Sequence, residues 1–219
     1  MMAMNKQRLG ILLAAAMVLL AACAKKDELP WHDDFSDPAS GWQTESDASA
    51  EVAYHEEAMQ VLVKSQNCLA WTWIEREFAD FHLTVEATQV AGPDNNEYGV
   101  LVRMKDADHF YCFSISGDGY YQISEFDDEG RHLLVGVDEQ RKGVGGDWTL
   151  SEAIRTGAAM NTLEVICQDS TMTFLVNGVP LDRVEDASYG RGGVGLYAGS
   201  FREPEAVEIR FDNLSVTEP

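Results

Sequence analysis

The sequence predicts an all-β protein, a two-sheet antiparallel β-sandwich or jelly roll of about a dozen strands. Three observations lead there. Apolar and polar residues alternate with a period of two through many short runs. Clusters of Gly, Asn, Asp and Pro separate the runs at regular intervals. Helical spacing is confined to at most one turn near Ser151 to Ile154.

The clearest strand is FHLTVEATQV. It sets Phe81, Leu83, Val85 and Ala87 on one face and His82, Thr84, Glu86 and Thr88 on the other. A turn follows at Pro93-Asp94-Asn95-Asn96. Tyr98, Val100 and Val102 then form an inner row. The turn Lys105-Asp106-Ala107-Asp108 leads to a second row, Tyr111, Phe113 and Ile115. Gly117-Asp118-Gly119 is the next turn signal. In TLEVICQ, Leu163, Val165 and Cys167 share a face, as Met172, Phe174 and Val176 do in TMTFLVNG. Asn177-Gly178 predicts a two-residue hairpin, because both residues tolerate the positive φ of a type I′ turn.

The ends read differently. Lys6 and Arg8 precede the ten-residue apolar run Ile11 to Leu20, which is too short to span a bilayer. The run ends in Leu20-Ala21-Ala22-Cys23, which resembles the lipobox of bacterial lipoproteins. The resemblance implies a signal peptide over 1–22 and a lipidated Cys23 as first mature residue. Palmitate-type acyl chains on Cys23 would be the partner of a membrane, each buried methylene contributing about 0.8 kcal/mol. Residues 23–30 form the tether and 31–219 one domain. Ala24 after the cysteine favours the outer membrane in a two-membrane bacterium; with one membrane, the anchor lies in its outer leaflet. The expected place is therefore the extracytoplasmic face of the cell envelope.

The chain carries a formal charge of −21, and loss of Lys6 and Arg8 makes it more negative. Such a surface repels phosphate backbones, so nucleic acid is not an expected partner. Oligomeric state is not legible. Three cysteines remain in the domain, and Cys112 with Cys167 is the expected disulfide. The five histidines His32, His55, His82, His109 and His132 lack ligand spacing, so no metal or cofactor is expected from them. The GVGG run at Gly143 to Gly146 reads as a loop and not a phosphate cradle.

Several segments together resemble the concanavalin A-like jelly-roll domains of exported bacterial proteins. They are DDFSDPASGW, EYGVLVRMKDADHFYCFSISGDGYYQISEFDDEG, AIRTGAAMNTLEVICQDSTMTFLVNGVPLDRV, GRGGVGLYAG and VEIRFDNLSV. The resemblance is to the group that includes laminin-G-like and 3-keto-disaccharide-hydrolase-like domains. It implies that the first and last strands lie side by side, with Phe35 and Phe211 plugging the core. It also implies an alternative calcium site at Asp33, Asp34 and Asp212; the other reading of Asp212 is a local turn cap.

The run Glu125-Phe126-Asp127-Asp128-Glu129 decides between catalysis and its absence. Family-16 glycoside hydrolases carry an acid-x-acid-x-acid strand. By position, Glu125 would be nucleophile, Asp127 its support and Glu129 the acid/base. Asp128 stands where that family has an apolar residue, and Asp128-Glu129-Gly130 reads as a hairpin turn. The expectation is a solvated turn, with the catalytic alignment as alternative.

Sugar binding needs aromatic faces and nearby hydroxyl-bonding groups. Trp148 with Asp147 in a loop, Tyr111, Tyr120, Tyr121, Asp118, Trp71 with Trp73 in AWTW, and Tyr197 in GLYAG are the candidates. The function expected is non-catalytic binding of a carbohydrate or other surface ligand. A family-16-like or keto-sugar hydrolase, and a structural, protein-docking lipoprotein, are the alternatives.

Overall fold

In a computed structural model the described residues are 29–135, 147–201 and 205–219. The signal peptide, Cys23 and the GVGG run lie outside them. Sixteen strands form two antiparallel sheets, and no described residue is helical.

The first sheet holds nine strands. They are β1 (Trp31–Asp33), β2 (Glu45–Ser46), β3 (Ala50–His55), β4 (Ala58–Val63), β6 (Phe81–Ala91), β12 (Met160–Gln168), β13 (Thr171–Val176), β14 (Val179–Glu185) and β16 (Val207–Thr217). Their order is β14-β13-β12-β6-β16-β4-β3-β2, with β1 also against β16. The second sheet holds β5 (Cys68–Phe78), β7 (Asn96–Met104), β8 (Phe110–Ile115), β9 (Tyr120–Asp127), β10 (Gly130–Val135), β11 (Thr149–Leu150) and β15 (Gly192–Ser200). Its order is β10-β9-β8-β7-β15-β5, with β11 against β9.

The alternation read from the sequence is what fills the space between the sheets. In β6, Phe81, Leu83, Val85 and Ala87 have no exposed surface, while their neighbours are half-buried. The inner rows of β7 and β8 meet them, and Phe113 packs on Phe174 with ring centroids 5.2 Å apart. Such aromatic pairs contribute about 1 kcal/mol beyond their buried area.

The ends of the domain close as expected. β1 pairs with β16 from Trp31↔Val216 to Asp33↔Leu214, and Phe35 and Phe211 are buried. Three of the extra strands, β1, β2 and β11, are two or three residues long. Their partners define them, not alternation of their own, so a sequence pattern does not find them.

One expectation is corrected. Cys68, Cys112 and Cys167 are all unbridged. Cys167 faces the core between the sheets. Cys112 sits between the inner residues Tyr111 and Phe113, so it points off the opposite face of its own sheet. Stacked sheets lie ~10 Å apart, whereas a disulfide needs Cα atoms within about 7 Å and Cβ atoms turned together.

Candidate functional site

The outer face of the second sheet concentrates the polar chemistry. Along β5 the period of two turns Ala70, Thr72 and Ile74 inward and Leu69, Trp71 and Trp73 outward. Leu69 is 43% and Trp71 37% exposed, unusual for residues of that size on a strand. β5 is an edge strand: β15 pairs along one side of it, and the other side faces the β2–β3 segment of the first sheet without pairing. There the two tryptophans line a cleft of about 310 Å3 with Gln43, Glu45, Asp47 and the half-buried thiol of Cys68. Aromatic faces flanked by an amide and two carboxylates can stack on a sugar ring and accept its hydroxyl protons.

The face continues across the sheet. Register places Trp71 beside Tyr197, Tyr197 beside Gly99, Gly99 beside Ser114 and Ser114 beside Gln122. This row spans about 19 Å, four interstrand steps. The Tyr197 hydroxyl hydrogen-bonds the Ser114 hydroxyl, and Cys112 Sγ lies 3.5 Å from Ser114 Oγ. Burial pushes the Cys112 thiol up to about 11 and holds the Tyr197 phenol well above its ordinary value. Neither ionises at neutral pH. One step along, Glu97 folds over Gly199, where a Cβ would come within 2.8 Å of the Glu97 chain and 2.4 Å of Leu69. Glycine at 199 is thus what lets both side chains lie on the sheet. Burial raises the Glu97 carboxyl, against the pull of Arg131. Arg131 Nε donates to Ser124 Oγ at 2.9 Å on the same face.

A family model for the 3-keto-alpha-glucoside-1,2-lyase-like domain matches residues 31–217. The chain belongs to that family. Among curated proteins none matches the sequence. The lyase-like domain is similar in fold to the carbohydrate-binding module CBM66 from Bacillus subtilis. The TM-score is 0.61 at 14% identity, over 80% of this chain and 93% of that one. A β-glucanase from Bacillus licheniformis matches with TM-score 0.59 at 9% identity, over 87% and 98%. A prokaryotic β-1,3-1,4-glucanase from a mouse hindgut metagenome gives 0.62 at 7%, over 87% and 99%. At these identities the likeness establishes the jelly-roll fold that carbohydrate-binding modules and glucanases share.

The lyase-like domain gathers some of the residues singled out by sequence and separates others. Trp71 and Trp73 share the cleft. Tyr120 lies half-buried at the start of β9. Tyr121 is turned to the core, its hydroxyl 3.5 Å from Asp182 Oδ2, so it stands on the other side of the sheet. Asp118 is exposed and accepts from the Ser116 hydroxyl within its turn. Asp147 is exposed. Trp148 is half-buried and meets Phe201 edge-on at 6.3 Å, although it precedes β11 on the β9 side and Phe201 follows β15. The loops at that end of the sheet therefore meet through these two rings.

Glu125, Asp127 and Glu129 are not brought to this face. Glu125 is paired with Tyr111 and His132, on the inner-facing register. Asp127 accepts from His132 Nε2 at 2.8 Å and from the Glu129 N–H at 2.8 Å. Glu129 is exposed in the two-residue turn that joins Asp127 to Gly130, whose φ is 106°. The strand ends before Glu129, so Glu125 and Glu129 do not project from one continuous strand.

The three aspartates of the calcium alternative do not form a cage. Asp33 uses Oδ1 on the Phe35 N–H and Oδ2 on Trp42 Nε1. Asp34 is engaged by Ser36, which lowers its carboxyl. Burial and the nearby carboxylates of Glu86, Asp34 and Glu57 raise Asp212. Among the described residues no group of three or more His, Cys, Asp or Glu could hold a metal ion.

Tyr197 of GLYAG lies in the row, whereas nothing in the sequence singles out Glu97, Ser114 and Gln122 as site residues. In the sequence they fall inside strands whose two faces both read as apolar. Only the pairing of five strands places Ser114 and Gln122 in one row with Trp71, and Glu97 in the row beside it.

Proposed function

We propose that this is a carbohydrate-binding domain of the cell envelope, held to a membrane through acyl chains on Cys23. The observation that carries it is the pair Trp71 and Trp73, set on one face of an edge strand beside Gln43, Glu45 and Asp47. A soluble domain gains nothing in folding from exposing an indole there; a sugar ring stacked on it does gain. The family and the jelly-roll fold support the same reading.

A glycan array of α-glucosides and β-glucan oligosaccharides tests it. Trp71→Ala should lower affinity by at least tenfold while thermal unfolding stays cooperative, since the indole lies on the outer face of the sheet and not in the core. Equal binding by Trp71→Ala removes the cleft from consideration.

A second reading, cleavage of a keto-sugar, is favoured by Glu97, a carboxyl raised by burial on the same face. Incubation with 3-keto-α-glucosides and product analysis separates the two. Turnover that disappears in Glu97→Gln would establish catalysis.

A further inference from the structure

The cleft at β5 combines indoles with carboxylates and holds no cation of its own. Trp71 and Trp73 form one wall. Two positions apart on a strand, they stand about 7 Å from each other. The opposite wall is the β2–β3 hairpin, which brings Glu45 and Asp47. Asp47 closes that hairpin. Its Oδ1 accepts from the Ala50 N–H at 2.8 Å and the Ser49 N–H at 2.6 Å. Those bonds, Ala50 first, hold the Asp47 carboxyl below its ordinary value, so it is ionised at neutral pH. Both bonds fall on Oδ1, which leaves Oδ2 to solvent or ligand. Among the described residues that line the cleft there is no Lys, Arg or His. Lys64, next to the hairpin, is paired with Glu51 at 2.9 Å and is not part of the lining. The contrast is Trp31, whose ring has the Arg76 guanidinium 4.9 Å from its centroid.

We propose that the cleft takes a cationic amino sugar, a hexose unit with a free ammonium group within a short glycan. The proposal rests on the carbohydrate-binding reading above and narrows its ligand class. An ammonium is drawn to the negative face of an aromatic ring, and to tryptophan most strongly. The carboxylates of Glu45 and Asp47 supply the counter-charge, and three N–H donors suit acceptor-only groups. The C–H face of the same sugar stacks on the second indole. A neutral sugar can hydrogen-bond the carboxylates but leaves their charge uncompensated. An anionic sugar is repelled by them and by a chain of net charge −21. Screening decides which charges matter. At physiological salt the Debye length is about 8 Å, so the groups lining the cleft set the preference and the distant acidic surface adds little.

The test is calorimetric titration of the full-length chain with the glucosamine tetramer, its fully N-acetylated form, cellotetraose and tetralysine. The glucosamine tetramer should bind about tenfold or more tighter than the acetylated form or cellotetraose, and salt at about 0.5 M should remove most of that difference. Glu45→Gln/Asp47→Asn keeps the side-chain shapes and the turn acceptor but removes both charges. It should bring the three sugars to within about threefold of one another. Glu45→Gln alone, at an exposed position, should give an intermediate preference and serves if the double variant does not fold. Equal or tighter binding of cellotetraose overturns the proposal and leaves the carbohydrate-binding reading standing. A preference undiminished in both variants overturns it too, because the attraction then comes from the general acidity of the chain. Tetralysine bound as tightly as the glucosamine tetramer overturns it as a sugar site. Failure to bind any of the three sugars also overturns it, and failure on the glycan array as well removes the carbohydrate-binding reading.

Discussion

At the residue scale, two sets of side chains carry measurable consequences. Arg103 is fully buried with φ at 52°, at the point where the β7–β15 register shifts. Its guanidinium donates to the carbonyls of Tyr189 at 3.1 Å, Asp169 at 2.7 Å and Ala79 at 3.3 Å. One side chain thus fastens three chain segments between the sheets. Arg103→Ala should cost about 3 kcal/mol or more, because it orphans buried carbonyls and leaves a cavity; a urea melt reads this directly. The second set is His109 and His132. His109 contacts Asp106 at 2.8 Å and Asp128 at 3.4 Å, and His132 contacts Asp127 at 2.8 Å. The hydrogen bonds they donate to Asp106 and Asp127 raise the two imidazoles; the Asp108 N–H and then His109 lower the Asp106 carboxyl, and His132 and then the Glu129 N–H lower that of Asp127. The imidazole contribution is complete below the unfolded histidine value of about 6.5 and is lost as pH rises through the raised folded value. The carboxylate contribution is present above about 3.9 and is lost as pH falls through the lowered value. Thermal stability should therefore peak in mildly acidic buffer, and the decline on its alkaline side should flatten in the His109→Ala/His132→Ala double variant.

At the scale of elements, the β9–β10 hairpin determines what the acidic run can do. Glycine at 130 supplies the positive φ, and the space around its missing Cβ is open. Gly130→Ala should therefore cost about 1 kcal/mol through backbone strain alone. A larger loss would point to a contact that the hairpin geometry does not contain. The same geometry keeps Glu125 and Glu129 away from the tryptophan cleft. Replacing both with Gln should leave glycan affinity within twofold of wild type, checked by calorimetric titration. The contrast with β5 is instructive. An edge strand with alternating indoles presents them to solvent, whereas β8, between β7 and β9, has every residue buried. Position in the sheet, more than residue type, decides which aromatic side chains reach a ligand.

For the whole molecule, β1 beside β16 brings the start of the domain next to its end, so a tether before Leu29 would leave from the β1–β16 side of the first sheet. The tryptophan cleft borders the edge of the second. Cys23→Ser should shift the protein from the membrane pellet to the soluble fraction while the domain keeps its melting temperature; fractionation with immunoblotting checks it.

The sequence by itself determined the all-β class, the inner faces of β6, β12 and β13, and the hairpin at Gly130. Each is a local matter of period-two alternation or turn stereochemistry, which a few adjacent residues specify. It also offered Trp71 and Trp73, because two indoles two positions apart must share a face. Only the tertiary structure decided that Tyr121 turns inward, that Cys112 and Cys167 lie on different faces of different layers, that Arg103 binds three loops, and that Ser114 and Gln122 join Trp71 in one row with Glu97 in the next. These depend on which strands pair and in what register, and that is set by long-range packing between residues tens of positions apart, where no local pattern records it.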